Sequence, residues 1–278
     1  MHVALNKAGD KAVVIEKGTA LIVNVGTEAD PRPTVLRHAF DALDVAVDVL
    51  GGVLAIGRVH GLTYIFRWDS MSTKAEAVLF YTQEYIDNAR FQHAAEAVVY
   101  TVGNDVCTRL VAGNREVFRA QGDVRADRMT TSRSAAVVLG AYYSDLWLDR
   151  VDERPGLARL LGEVARTSVQ GGGMPSLSAD GTRLITAAWR VVRVHAVEGH
   201  EVTQLAIHHV QHRVIAALPG PDGRIAMLLF NGELWLLDGD GGKLSVQVTT
   251  PRADSLCWSA DGTMVGVRRG RQVTVVSV

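Results

Sequence analysis

The chain has 278 residues, of which 47% are hydrophobic and 21% are charged, and its formal net charge is −1. These values are ordinary for a folded globular protein, and they exclude an intrinsically disordered chain. A net charge near zero gives no overall attraction for nucleic acid or for an acidic membrane, so we expect neither as a partner. We predict one domain over residues 1–278, because large all-β domains reach this size.

The beginning of the sequence and its cysteines predict a cytoplasmic protein. Residues 1–11 lack the basic start and the apolar run of a signal peptide. No stretch approaches the ~18 consecutive apolar residues of a membrane span. Cys107 and Cys257 are too few for a small secreted disulfide scaffold, so we expect two buried free thiols.

One pattern recurs along the chain: an apolar run, a turn and a second apolar run. The first copy surrounds the Gly9-Asp10 turn. Less regular copies follow over 51–69, 97–110 and 135–149, and closer copies follow over 177–197, 217–238 and 255–278. The apolar centres of these seven units lie near residues 14, 54, 98, 137, 184, 226 and 265.

The last copy shows the pattern most clearly. A short apolar run over 255–258 is followed by an Asp261-Gly262 turn, and residues 264–267 then continue as a second apolar run. Both residues of an Asp-Gly pair tolerate positive φ, so this pair between apolar strands predicts a β-hairpin. A third strand is predicted over 273–278.

The spacing of the units predicts an all-β, seven-bladed β-propeller. Successive centres are about 40 residues apart, which is the length of one blade of four short strands. A single blade cannot bury both faces of its sheet, and packing blades in a ring solves this problem. Six blades are the alternative, because the third and fourth units are weakly marked.

The repeats resemble the β-propeller superfamily, in particular WD40-like blades, over the whole chain. Trp68-Asp69 matches the Trp-Asp ending of a WD40 third strand, whereas Gly199-His200 follows a third strand instead of preceding a first strand. Residues 232–243 resemble a quinoprotein blade, but the cofactor ligands of that family have no counterpart in the sequence. The resemblance implies the fold, and we expect no cofactor.

The closure of the ring is left open by the sequence. Residues 2–5 could be the outer strand of the last blade or the inner strand of the first blade. In the second case residues 273–278 form an exposed edge, to which a partner could add a β-strand.

Two segments have apolar spacing that is compatible with short helices inserted between strands. They are residues 155–166, where Pro155 suits a first helical turn, and residues 82–96. Insertions of this kind would be surfaces that the repeat itself does not need.

Other clusters of polar residues carry no specific signal for chemistry. His208 and His209 would point to opposite faces of a strand, so with His212 they favour a surface position over a zinc site. The acidic segment 145–153 and Asp238-Gly-Asp-Gly241 lack the ligand spacing of a calcium loop. Gly171–173 precede Pro175 without a phosphate-loop lysine, and Arg268, Arg269 and Arg271 indicate at most an anion contact.

These observations favour a protein-interaction platform, a subunit or regulator of a larger complex, over an enzyme. The aromatic residues proposed as partner-binding anchors are Trp68, Tyr142, Tyr143 and Trp147, although packing in the core is the competing role for each. The alternative function is a lactonase-like hydrolase with an active site in the central channel. No nucleophile motif or defined carboxylate pair supports that alternative. We expect proteins as partners.

Overall fold

The computed structural model describes most of the chain. The described residues are 3–26, 32–38, 40–48, 50–69, 77–93, 95–121, 129–132, 137–142, 145–150, 174–198, 201–249 and 251–278.

The described strands form seven antiparallel sheets, five with four strands and two with three. The first three sheets contain β1 (Val3–Leu5), β2 (Lys11–Glu16), β3 (Thr19–Asn24), β4 (Thr34–Val35), β5 (Asp41–Val47), β6 (Val53–Val59), β7 (Leu62–Trp68), β8 (Ala77–Thr82), β9 (Ile86–Gln92), β10 (Ala97–Val102), β11 (Asp105–Leu110) and β12 (Arg115–Gln121). The other four contain β13 (Met129–Thr131), β14 (Val137–Tyr142), β15 (Asp145–Arg150), β16 (Met174–Leu177), β17 (Arg183–Ala188), β18 (Val191–Glu198), β19 (Glu201–His209), β20 (Val214–Pro219), β21 (Ile225–Leu229), β22 (Glu233–Leu237), β23 (Lys243–Val248), β24 (Ser255–Trp258), β25 (Met264–Arg269) and β26 (Gln272–Ser277).

The sheets are arranged as a ring, which confirms the prediction of an all-β propeller. Within each sheet the strands pair in chain order. The first strands of neighbouring sheets contact one another, as in β1 with β5, β16 with β20 and β20 with β24, and β1 also contacts β24 of the last sheet. Each of the seven apolar centres found in the sequence lies in the second strand of one sheet, so each sequence unit corresponds to one blade.

The hydrophobic core lies between blades rather than within them. On β2, Val13 belongs to a cluster shared with the second blade, whereas Ala12 and Val14 belong to a cluster shared with the seventh blade. Because alternate residues of a strand point to opposite faces, both faces of this blade are buried. This arrangement explains why the middle strands are nearly continuous apolar runs, such as the fully buried β21.

The Ser-Ala-Asp-Gly-Thr segments form the same hydrogen-bonded turn in two blades. Asp261 accepts hydrogen bonds from the Ser259 hydroxyl at 2.7 Å and from the Thr263 N–H at 3.1 Å. Asp180 accepts the equivalent bonds at 2.6 and 3.0 Å. These donors lower the pKa values of both carboxyl groups, because they favour the charged form.

The first and last blades pack against each other without sharing a strand. β1 pairs with β2, with Val3 opposite Val14, so it is the inner strand of the first blade. The last sheet has three strands, and β26 is its outermost strand among the described residues. The buried Arg268 side chain joins the two blades by donating a hydrogen bond to the Ile15 carbonyl at 2.7 Å.

The prediction of a helix within residues 82–96 is wrong. This segment contains the end of β8 and all of β9. Tyr100 pairs with Ala89 but Val102 pairs with Ile86, so β9 carries an extra residue at a bulge. The bulge leaves Ile86 and Ala89 buried at a spacing of three, which resembles the spacing of a helix. The proposed helix at 155–166 lies outside the described residues. Within the described ranges, no helix is long and apolar enough to span a membrane.

Candidate functional site

The antiparallel order of the strands divides the loops between two ends of the ring. We define the upper end as the end of the ring that carries the turns between second and third strands and the connections from one sheet to the next. The lower end carries the turns between first and second strands and between third and fourth strands. The two ends therefore differ in sequence and in surface chemistry.

The exposed aromatic side chains lie at the upper end. Among the side chains whose burial is described, three aromatic rings are largely exposed: Tyr85 (57%), Trp189 (67%) and Phe230 (46%). Trp189 lies in the turn between β17 and β18, and Phe230 follows β21. Tyr85 lies in the connection between β8 and β9. Large exposed aromatic rings are typical anchors of protein interfaces, because they bury much area at a low entropic cost.

Backbone hydrogen bonds bring the loops of Trp189 and Phe230 together. The Trp189 carbonyl accepts a hydrogen bond from the Val214 N–H at 2.6 Å. Arg213 directly precedes Val214, and its carbonyl accepts a hydrogen bond from the Phe230 N–H at 2.8 Å. The Phe230 carbonyl in turn accepts a bond from the Arg252 N–H at 3.0 Å. The fifth and sixth blades are thus connected in one continuous surface.

We call this region the Trp189/Phe230 surface. Its members are all exposed, and they are Trp189, Arg190, Arg213, Phe230 and Arg252.

The backbone of Trp189 is strained. Its φ is 51°, in the left-handed region that a bulky side chain rarely adopts. This conformation costs about 1–2 kcal/mol for a residue with a Cβ, and glycine would avoid the cost. Strained backbone positions concentrate at functional sites, so strain combined with exposure indicates a binding role for Trp189.

The arginines of the surface are not neutralised by carboxylates. Arg190, Arg213 and Arg252 form no ion pair within the described part of the chain. Arginines elsewhere in the ring do form ion pairs, for example Arg183 with Asp240 at 2.9 Å and Arg67 with Asp48 at 3.1 Å.

A second, smaller group at the upper end contains Tyr85. The Arg58 guanidinium lies 4.8 Å from the centre of the Tyr85 ring and also pairs with Asp41. This arginine is therefore already neutralised, and the group offers less free charge than the Trp189/Phe230 surface.

The proposed anchors from the sequence have different outcomes. Trp68 is fully buried between the first and second blades, where it packs against Phe66 at a centroid distance of 5.9 Å. The structure thus gives Trp68 a packing role, since a fully buried ring has no surface to offer a partner. Tyr142 lies at the end of β14 and Trp147 lies in β15, whereas Tyr143 lies outside the described residues. For these three residues the anchor role stays a prediction.

His208 and Arg271 of the histidine and arginine clusters make contacts between blades. His208 bonds to the Gly241 carbonyl at 2.8 Å and lies edge-on to Trp235, which joins two blades. Arg271 pairs with Glu16 of the first blade at 2.6 Å. In Asp238-Gly-Asp-Gly241, Asp238 accepts hydrogen bonds from backbone N–H groups of its own turn.

Asp44, on the first strand of the second blade, is a fully buried carboxylate. It accepts a hydrogen bond from the Phe91 N–H at 2.7 Å, and burial raises its pKa. The described residues contain no group of three or more His, Cys, Asp or Glu that could hold a metal ion.

Comparisons with known proteins support the fold and leave the function open. No family model matches the chain, and no curated protein matches it. A search of solved structures finds a similar chain in the "Crystal Structure of Mitotic Checkpoint Complex", with a TM-score of 0.63 and 10% sequence identity. The match covers 100% of this chain and 86% of that chain. At this identity the similarity concerns the β-propeller fold, because one fold serves many functions.

The sequence analysis did not identify Trp189 and Phe230 as partner-binding anchors, although the sequence at Trp189 is unusual. Trp189 and Arg190 occupy a two-residue hairpin turn, where Asn and Gly are the usual residues. A bulky aromatic residue in that position indicates a side chain that points away from the sheet.

Proposed function

We propose that this β-propeller is a protein-interaction module, a subunit or regulator of a larger complex, that binds its partner through the Trp189/Phe230 surface. The observation that carries the proposal is the exposed Trp189 ring in a strained turn, beside an exposed Phe230. The propeller holds both aromatic side chains in place before binding, which reduces the conformational entropy lost on binding. The structural neighbour, which is part of a complex, is compatible with this role.

Replacement of Trp189 by glycine tests the proposal. We expect Trp189→Gly to reduce the amount of captured partner at least about tenfold, since an interface anchor typically contributes this much. The free energy of unfolding should stay unchanged or rise by up to about 1 kcal/mol, because glycine relieves the left-handed strain. The measurements are quantitative affinity capture of the tagged protein from its native cell and urea denaturation.

His60→Gly is the matched control. His60 has a φ of 50° in the equivalent turn of the second blade, so this substitution relieves the same strain away from the surface. Partners that remain bound in His60→Gly and are lost in Trp189→Gly support the proposal. If both variants keep all partners, the surface is not the binding site.

A further inference from the structure

The arginines of the Trp189/Phe230 surface indicate which kind of ligand it would bind. We propose that it binds an acidic peptide segment, in which Asp or Glu side chains flank an apolar or aromatic residue. This inference rests on the proposed function and specifies the partner that the surface would accept.

Three exposed arginines lie in the same hydrogen-bonded loops as the two aromatic residues. Arg190 adjoins Trp189 in the same turn, and the Arg213 and Arg252 backbones are hydrogen-bonded on either side of Phe230. None of the three has a carboxylate partner among the described residues. A planar guanidinium can bind a carboxylate through two parallel hydrogen bonds, and this geometry suits Asp and Glu side chains of a partner.

Two acids that follow members of the surface closely in sequence already accept other hydrogen bonds. Glu233 accepts hydrogen bonds from Asn231 at 2.8 Å and from Trp235 at 2.9 Å, and its pKa is lowered chiefly by these bonds. Asp254 accepts a bond from the Gly270 N–H at 2.9 Å and lies 3.8 Å from Arg268. Both carboxylates are thus held by donors other than the three arginines.

The lower end carries the opposite pattern. Asp180 and Asp261 lie in its turns, each held by donors of its own turn, and Asp222 there pairs with Arg224. Among the described residues, the lower end of these blades thus presents carboxylates without an arginine partner at Asp180 and Asp261, whereas the upper end presents arginines without a carboxylate partner. Such a field attracts an anionic segment to the upper end and disfavours its docking at the lower end.

A peptide fits these features better than a nucleic acid does. The net charge of −1 provides no extended basic stripe to follow a phosphate backbone. Elsewhere at the upper end, Asp41 pairs with Arg58 and Glu84 lies 3.7 Å from Arg119, so these arginines offer little free charge to a phosphate backbone that continued around the ring. A short segment that spans the fifth and sixth blades needs only the three arginines of the Trp189/Phe230 surface, which are unpaired within the described ranges.

The test uses a fluorescein-labelled peptide that alternates Glu with Leu and Phe, and a second peptide with Gln in place of Glu. Binding is followed by fluorescence anisotropy at about 50 mM and about 200 mM salt, between which screening weakens exposed ion pairs. We expect saturable binding of the Glu peptide, at least about tenfold weaker binding of the Gln peptide, and a loss of affinity with salt.

A matched pair of charge reversals locates the binding site. A double variant with Arg213→Glu and Arg252→Glu should bind the Glu peptide at least about tenfold more weakly. A control double variant with Lys7→Glu and Lys11→Glu makes the same change in net charge at exposed lysines of the lower end. This control should change the affinity for the Glu peptide less than about twofold.

Several results would overturn the inference. They are equal binding of the two peptides, no saturable binding below about 1 mM, or equal effects of the two charge reversals. Tighter binding of single-stranded RNA than of the Glu peptide would indicate a nucleic-acid surface instead. If Trp189→Gly still removes a captured partner while the Glu peptide fails to bind, the acidic ligand is wrong and the interaction module stands.

Discussion

Replacement of Trp68 by alanine is expected to lower the free energy of unfolding by about 3–5 kcal/mol, the usual cost of truncating a large buried aromatic residue. Trp68 is fully buried in the cluster between the first and second blades, with Phe66 and Phe40. Removal of its ring leaves a cavity that neighbouring strands cannot fill without losing their pairing. Urea denaturation followed by circular dichroism measures the change.

Two further variants separate packing from binding. The Trp68 Nε1–H is buried without a hydrogen-bond partner among the described residues, so Trp68→Phe loses no hydrogen bond and should cost less than about 1.5 kcal/mol. Trp189→Ala changes an exposed ring and should alter stability by less than about 0.5 kcal/mol. A Trp68→Ala variant as stable as Trp189→Ala would contradict the packing role of Trp68.

The stability of the protein is expected to decrease on acidification because of His195. This residue of β18 is only 3% exposed, and burial, together with the positive charge of Arg193, lowers its pKa from 6.5 to about 4. Between these pH values the unfolded chain binds a proton that the folded chain does not bind, so unfolding becomes easier as the pH falls. We expect His195 to contribute a loss of about 2 kcal/mol between pH 7.5 and pH 5.

The variant His195→Gln removes this titration. Its free energy of unfolding should fall less steeply with decreasing pH than that of the wild-type protein, whatever its stability at pH 7.5. Urea denaturation of both proteins across this pH range provides the comparison. Parallel curves, or a His195 titration by nuclear magnetic resonance with a midpoint near 6.5, would contradict the expectation.

The blades could be predicted because their signals are local. The Asp261-Gly262 turn between two apolar runs specifies a hairpin without reference to the rest of the chain, and the same turn recurs at Asp180-Gly181. The pairing of β1 could not be assigned, because its short apolar sequence suits either the first or the last blade. Its place is settled by its pairing with β2, in which Val3 lies opposite Val14.

The position of the candidate site was harder to predict, because exposure depends on packing between blades. Trp68 lies two residues after Phe66 and so faces the same way, toward the core. That spacing was visible in the sequence and should have indicated burial. The nearness of Arg213 and Arg252 to Phe230 was not visible, since it arises from hydrogen bonds between connections of successive blades.

Hydrogen–deuterium exchange of the captured complex tests most directly whether the partner binds at the upper end. The free protein and the complex are compared peptide by peptide. We predict slower exchange in the complex at residues 189–190, 210–213 and 230–232, and unchanged exchange at the lower-end turns 180–182 and 261–263. Protection of the lower-end turns, with unchanged exchange around Trp189 and Phe230, would contradict the account.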